Sequence, residues 1–183
     1  MKFKVFLTLL LAVGLLVACG GNDTDTGKTD GGTETDGETE TDVVAAASFV
    51  GDAEELKATA GDNGAWIIIP TTDISMEDEL VITGTFHDQG DDSNDVYRKL
   101  AAYETDADQN ITANRKITTP RLVIESENLL FKGGILEGDV YVDADGFVLD
   151  ETAVVTGNLV FANADVEASA DISGTVEGET TVE

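Results

Sequence analysis

Apolar residues along this chain come in short runs, not in long amphipathic stretches. Val, Ile, Leu and aromatic side chains cluster at 66–69, 80–83, 111–118, 122–124, 129–131, 140–142, 147–149, 154–155 and 159–161, and Gly, Asp, Asn or Pro bounds them. Runs of that length and β-branched content predict strands. The segment 95–103 is open to helix or strand, and its polar flanks favour strand. One helical pattern stands apart. Asp52 is a candidate N-cap, Glu55 follows three residues later and Gly61 lies beyond the end, which predicts a short helix over 52–58.

The runs also repeat. An aliphatic-x-Gly-x-apolar element occurs around Gly84, Gly138, Gly157 and Gly174, with glycines 54, 19 and 17 positions apart. Leu130, Val148 and Val166 are each 18 apart, as are Leu136, Val154 and Ile172, while Leu122, Val140, Leu159 and Val176 follow at 18, 19 and 17. A fixed step with short strands and glycine corners is the signature of a repeat architecture whose units stack inward residues on those of the next. The expected fold is therefore all-β: a short-repeat parallel β-helix (β-solenoid) with coils of roughly 18 residues and inward-facing ladders, Val148 among them. The alternative is an antiparallel β-sandwich, for which Asp145-Gly146 is the main hairpin signal.

The stretch 122–178 resembles the short-repeat β-helices of bacterial polymer-forming, bactofilin-like proteins, through Gly138-Asp139-Val140, Gly157-Asn158-Leu159 and Gly174-Thr175-Val176-Glu177-Gly178. The resemblance implies end-to-end self-association through apolar coil ends. Glu177, Glu179 and Glu183 put charge on the terminal coil instead, a device that opposes stacking.

Upstream of the strands the pattern changes twice. Lys2 and Lys4 precede an apolar run from Val5 to Leu16, which narrows to Val17-Ala18 before Cys19, the only cysteine. A charged start, a short apolar segment and small residues describe a secretory signal peptide, and the run falls short of the roughly 20 residues a spanning helix needs. A cysteine directly after such a segment resembles the lipobox of bacterial lipoproteins. The resemblance implies a signal peptide over 1–18, diacylglycerol on Cys19, and a protein held extracytoplasmically on the membrane by its N-terminal lipid. From 20 to 42 the chain consists almost wholly of Gly, Thr, Asp and Glu, which cannot bury enough apolar surface to order itself. The expected organisation is a lipidated cysteine and acidic tether over 19–42, followed by one β domain over 43–183.

Charge narrows the partners. Ten Lys and Arg face 37 Asp and Glu, for a formal charge of -27. So acidic a chain repels nucleic acid and anionic lipid head groups. No nucleic-acid partner is expected; cell-wall or surface polysaccharide is.

Candidate chemistry is sparse. The loop 86–95 gathers Asp88, Asp91, Asp92 and Asp95 beside His87, the only histidine. Oxygen-rich loops can hold Ca²⁺, the one cofactor in view, although this spacing matches no defined calcium loop. Arg98, Lys99, Arg115, Lys116 and Arg121 crowd five cations into 24 positions, and strands that aligned them would form a stripe for an anionic glycan or the acidic tether. The plainer reading is charge balance between neighbouring coils. No nucleophile motif surrounds His87, so an enzyme is not expected. The alternative is a carbohydrate-active β-helix enzyme, a polysaccharide lyase or hydrolase working through paired carboxylates.

Overall fold

The computed structural model describes residues 47–183. The expected signal peptide, Cys19 and the expected tether lie outside the described residues.

The chain opens with β1 (Ser48–Val50) and α1 (Ala53–Ala60). Asp52 caps α1 by accepting from the backbone N–H of Glu54 and Glu55, both at 2.9 Å, while Glu55 reaches back to Gly51 N at 2.7 Å. That reciprocal pattern satisfies N–H groups the first turn leaves free. Leu56 and Ala60, one turn apart, are fully buried and bring the helix against the core. The predicted helix is present and runs two residues further than expected.

Next come β2 (Ile67–Pro70), β3 (Ile74–Ser75) and β4 (Leu80–Ile82), then β5 (Arg98–Ala101) and a hairpin of β6 (Tyr103–Thr105) and β7 (Ile111–Asn114). The remainder is β8 (Lys116–Ile124), β9 (Leu129–Lys132), β10 (Ile135–Val142), β11 (Val148–Leu149), β12 (Val154–Val155), β13 (Leu159–Phe161), α2 (Ala164–Ser169), β14 (Asp171–Ile172), β15 (Thr175–Val176) and β16 (Thr180–Val182).

The strands form two large sheets. The first has the order β1-β2-β5-β9-β11-β14. In the second, β3 and β4 pair with the two halves of β8, β8 pairs with β10, and the halves of β10 continue as β12-β15 and β13-β16. Every pairing within the two large sheets is parallel, which excludes the antiparallel sandwich; the hairpin β6–β7 pairs antiparallel on its own. The chain thus alternates between sheets, and each visit adds a strand beside the previous one.

Core residues stack in register across these pairs. Leu80, Leu122, Val140 and Leu159 oppose one another in turn, as do Ile68, Leu100, Phe131 and Leu149, and all are buried. Each such side chain contributes about 1.5–3 kcal/mol through removal from water. No visit can bury its inner row alone, so stability is cooperative between neighbours.

The observed register corrects the expected one. Leu130 opposes Val148 and Leu122, Val140 and Leu159 align as expected, but Thr180 takes the fourth place, and Val176 opposes Val155. Leu136 opposes Val155 rather than Val154, and Ile172 opposes Leu149. Val166 belongs to α2, and Asp171 follows Val148. Leu136 to Val155 is a step of 19, and α2 lengthens the last visit, so a fixed step of 18 falls short: Leu149 to Ile172 spans 23 positions and Leu159 to Thr180 spans 21. Leu130 and Val148 are also half-buried and face outward; the inward neighbours are Phe131 and Leu149. Likewise the glycine ladder is Gly138, Gly157 and Gly178, not Gly174: Gly157 N donates to Gly138 O at 3.1 Å and Gly178 N to Gly157 O at 3.2 Å. A Cβ on Gly157 would collide with Gly138 O, so the backbones approach too closely for any side chain.

Candidate functional site

The outer face of the first sheet is the most structured surface among the described residues. Alternation along the strands turns Phe49, Ile67, Ile69, Lys99, Leu130 and Val148 outward while Ile68, Leu100, Phe131 and Leu149 turn in. Two insertions border this face at β5. The β4–β5 connection, residues 83–97, precedes it, and the β6–β7 hairpin follows it.

Among the described residues, three grooves lie along this face, each against one of these insertions. One of about 510 Å³ has a floor of Phe49, Ile67, Ile69 and Pro70 against Tyr103 and Glu104. A second, about 420 Å³, runs between Trp66, Tyr97, Asp88 and Asp95. The third, about 440 Å³, is polar, with Thr105, Gln109, Lys132, Asp150 and Thr152. Lys99 lines all three, and Tyr103 lines the first and third.

Local bonding holds these groups in place. Lys99 Nζ donates to Tyr103 Oη at 3.0 Å and stands 5.5 Å from the Tyr103 ring centroid. Its backbone N–H bonds Trp66 O at 2.7 Å, which brings Trp66 beside β5. Trp66 and Tyr97 then meet with ring centroids 6.0 Å apart and planes at 55°. Burial raises the Tyr97 phenol above its ordinary pKa, and the nearby Asp88 charge adds to this. The ion pair Arg115–Glu104 pins the base of the hairpin, and Asp106 closes its tip by accepting from the backbone of Asp108 and Asn110 at 2.9 Å each. These bonds, Asn110's side chain foremost, hold the Asp106 carboxyl below its ordinary pKa.

The five basic candidates scatter. Arg98 is fully buried, because neighbours on a strand point oppositely and Lys99 takes the outside. Its guanidinium donates to Ala65 O at 3.1 Å, Thr59 O at 2.8 Å, Gly61 O at 3.3 Å, Ser126 Oγ at 3.0 Å and to Thr83 O, and lies 4.0 Å from the Phe86 ring centroid. Burial lowers its pKa to about 10, against the field of Asp62. Arg115 pairs with Glu104. On the second sheet Lys116 pairs with Glu137 at 2.8 Å, and Arg121 lies 3.7 Å from Glu79. No continuous basic stripe forms; Lys99 alone of the five reaches the grooves.

The acidic candidates scatter too. Asp91 accepts from Ser93 N at 2.9 Å and Ser93 Oγ at 2.7 Å, which lowers its pKa, and Asp88 and Asp95 face the second groove. Asp92 is exposed. Among the described residues no three His, Cys, Asp or Glu side chains converge to hold a metal ion. His87 Nδ1 lies 2.8 Å from Asn94 O within the same loop.

Sequence reasoning missed Phe49, Trp66, Tyr97 and Tyr103. A signal was present: Tyr97, Lys99 and Tyr103 share odd parity about β5, which places them on one side of an extended chain.

No protein-family model, curated protein or solved structure matches this chain. Among the described residues no helix is long and apolar enough to cross a membrane. The function therefore rests on the geometry of the first sheet.

Proposed function

We propose that this chain is an extracytoplasmic lipoprotein, anchored through Cys19, whose β domain is a solenoid that binds glycan on the outer face of its first sheet. Steps of 18 and 19 residues from Leu122 to Val140 to Leu159, with every large-sheet pairing parallel, support the solenoid reading. The observation that carries the binding reading is the meeting of three grooves at Lys99, with Trp66 and Tyr97 on one side and Tyr103 on the other. Aromatic faces offer flat apolar area for the C–H faces of sugars, and few, fixed polar groups set orientation, as small-molecule sites require.

Trp66 is the only tryptophan, so its emission reports on the second groove directly. Full-length protein titrated with chitohexaose and with hyaluronan octasaccharide is expected to show a saturable change for at least one, lost in Tyr97→Ala and Tyr103→Ala. A flat response to both sugars sinks the binding reading at this face.

A further inference from the structure

Resting on the glycan reading, we infer that Lys99 recognises the carboxylate of a uronic acid within the bound glycan. The described residues carry seven Lys and Arg. Lys57, Arg115, Lys116, Arg121 and Lys132 each lie within 4.0 Å of a carboxylate, and Arg98 is sealed in the core. Among the described residues Lys99 is thus the one accessible cation without an acidic partner, in a chain of charge -27.

Asp95 and Glu151 line the second and third grooves without pairing with Lys99, and three other acids at the grooves are turned to other work. Glu104 engages Arg115, Asp150 engages Thr152 and lies 3.7 Å from Lys132, and Asp88 accepts from Gln89 at 3.2 Å. Lys99 instead faces a neutral hydroxyl, which orients its ammonium and leaves two of its three donors free. A carboxylate entering this junction gains charge-assisted hydrogen bonds that no protein group provides.

Glycan is favoured over acidic peptide by the floor. The backbone N–H groups of β5 and β9 are consumed in parallel pairing, so a peptide main chain finds no ladder to extend on this face. What the third groove presents is side-chain hydroxyl and amide groups, Thr105, Gln109 and Thr152, that suit sugar hydroxyls. The body's negative charge also disfavours a dense polyanion, so acidic sugars spaced by neutral ones fit best.

The test uses the full chain in detergent, with Trp66 emission and calorimetry as readouts. The probes are hyaluronan octasaccharide, its carboxyl-reduced form, and a capped peptide of residues 33–39. Wild type is expected to bind the uronate form about tenfold more tightly than the reduced form, with the peptide weaker than both. Lys99→Met removes that preference, Lys99→Arg keeps it, and Lys116→Met, on the second sheet, keeps it. Thermal melts confirm that each variant is folded. Equal binding of both sugars by wild type, or an unchanged preference in Lys99→Met, overturns the uronate inference while leaving glycan binding intact. Tighter, Lys99-dependent binding of the peptide makes the tether the occupant and overturns it as well. Binding of none of the probes overturns the uronate inference, and the glycan reading falls with it when chitohexaose is flat as well.

Discussion

Arg98 carries its charge into the core, and its stabilisation comes from carbonyls. Thr59 O and Gly61 O belong to the C-terminal end of α1, where the helix carbonyls concentrate negative potential. Ala65 O and Thr83 O bring in the turn before β2 and the end of β4, and Ser126 Oγ the segment before β9. One side chain therefore ties α1 to three successive passes of the chain. Removing it takes the guanidinium donors from Ala65 O and Thr83 O, while Thr59 O and Gly61 O keep the backbone N–H of Ala65 and Gly64, so Arg98→Met is expected to cost about 3–5 kcal/mol in urea unfolding. Arg98→Lys recovers only part, because a single ammonium cannot span the fork. The pH dependence has a definite sign. The folded pKa, about 10, lies below that of an exposed arginine, so ionisation opposes folding by a constant amount below about 10 and less as pH climbs above it. The difference between wild type and Arg98→Met should accordingly be the same at pH 5 and pH 8. A neutral result for Arg98→Met would show that the carbonyls find other donors.

Strand identity and strand facing prove separable. Short β-branched runs located β2, β4, β9 and β13, because apolar clusters between Gly and Asp have few other stable forms. Facing was harder to read, since Leu130 and Val148 are as apolar as Phe131 and Leu149 beside them. A sheet that also builds a groove carries apolar residues on both sides, and alternation then loses its contrast. The site was hidden for a related reason: Trp66 and Tyr103 are 37 positions apart and reach the two sides of Lys99 only through the pairing of β2 with β5. α2 went unread because Asn163, its cap, resembles any other turn residue after a strand, although its side chain accepts from Asp165 N at 3.0 Å and Val166 N at 3.1 Å. The facing is directly testable. Leu149→Ala should cost about 2–5 kcal/mol by leaving a cavity, while Val148→Ala should cost under about 1 kcal/mol. Equal costs by denaturant unfolding would mean that the two residues are not on opposite faces.

At the scale of the whole molecule two electrostatic effects compete. Among the described residues there are five ion pairs, Arg115–Glu104 within the hairpin and the others between segments the fold brings together, with Lys57–Asp78 and Lys116–Glu137 both at 2.8 Å. Their partners are largely exposed, and such pairs contribute about 0–1 kcal/mol each. Against them stands the mutual repulsion of 37 carboxylates offset by ten cations. Parallel pairing offsets this in places, as where Arg121 opposes Asp139 and lies 3.7 Å from Glu79. Salt weakens both effects, so its net sign reveals which is larger. At 10 mM salt the screening length is about 30 Å and repulsion reaches across the domain; at 150 mM it is about 8 Å and only adjacent charges interact. Short-range pairs survive that change better than long-range repulsion does. The midpoint of thermal unfolding is therefore expected to rise between 10 and 150 mM NaCl, and calorimetry on the full chain measures it. A fall instead would mean that the cross-strand ion pairs outweigh the repulsion, and the argument that this body rejects densely charged glycans would lose its basis.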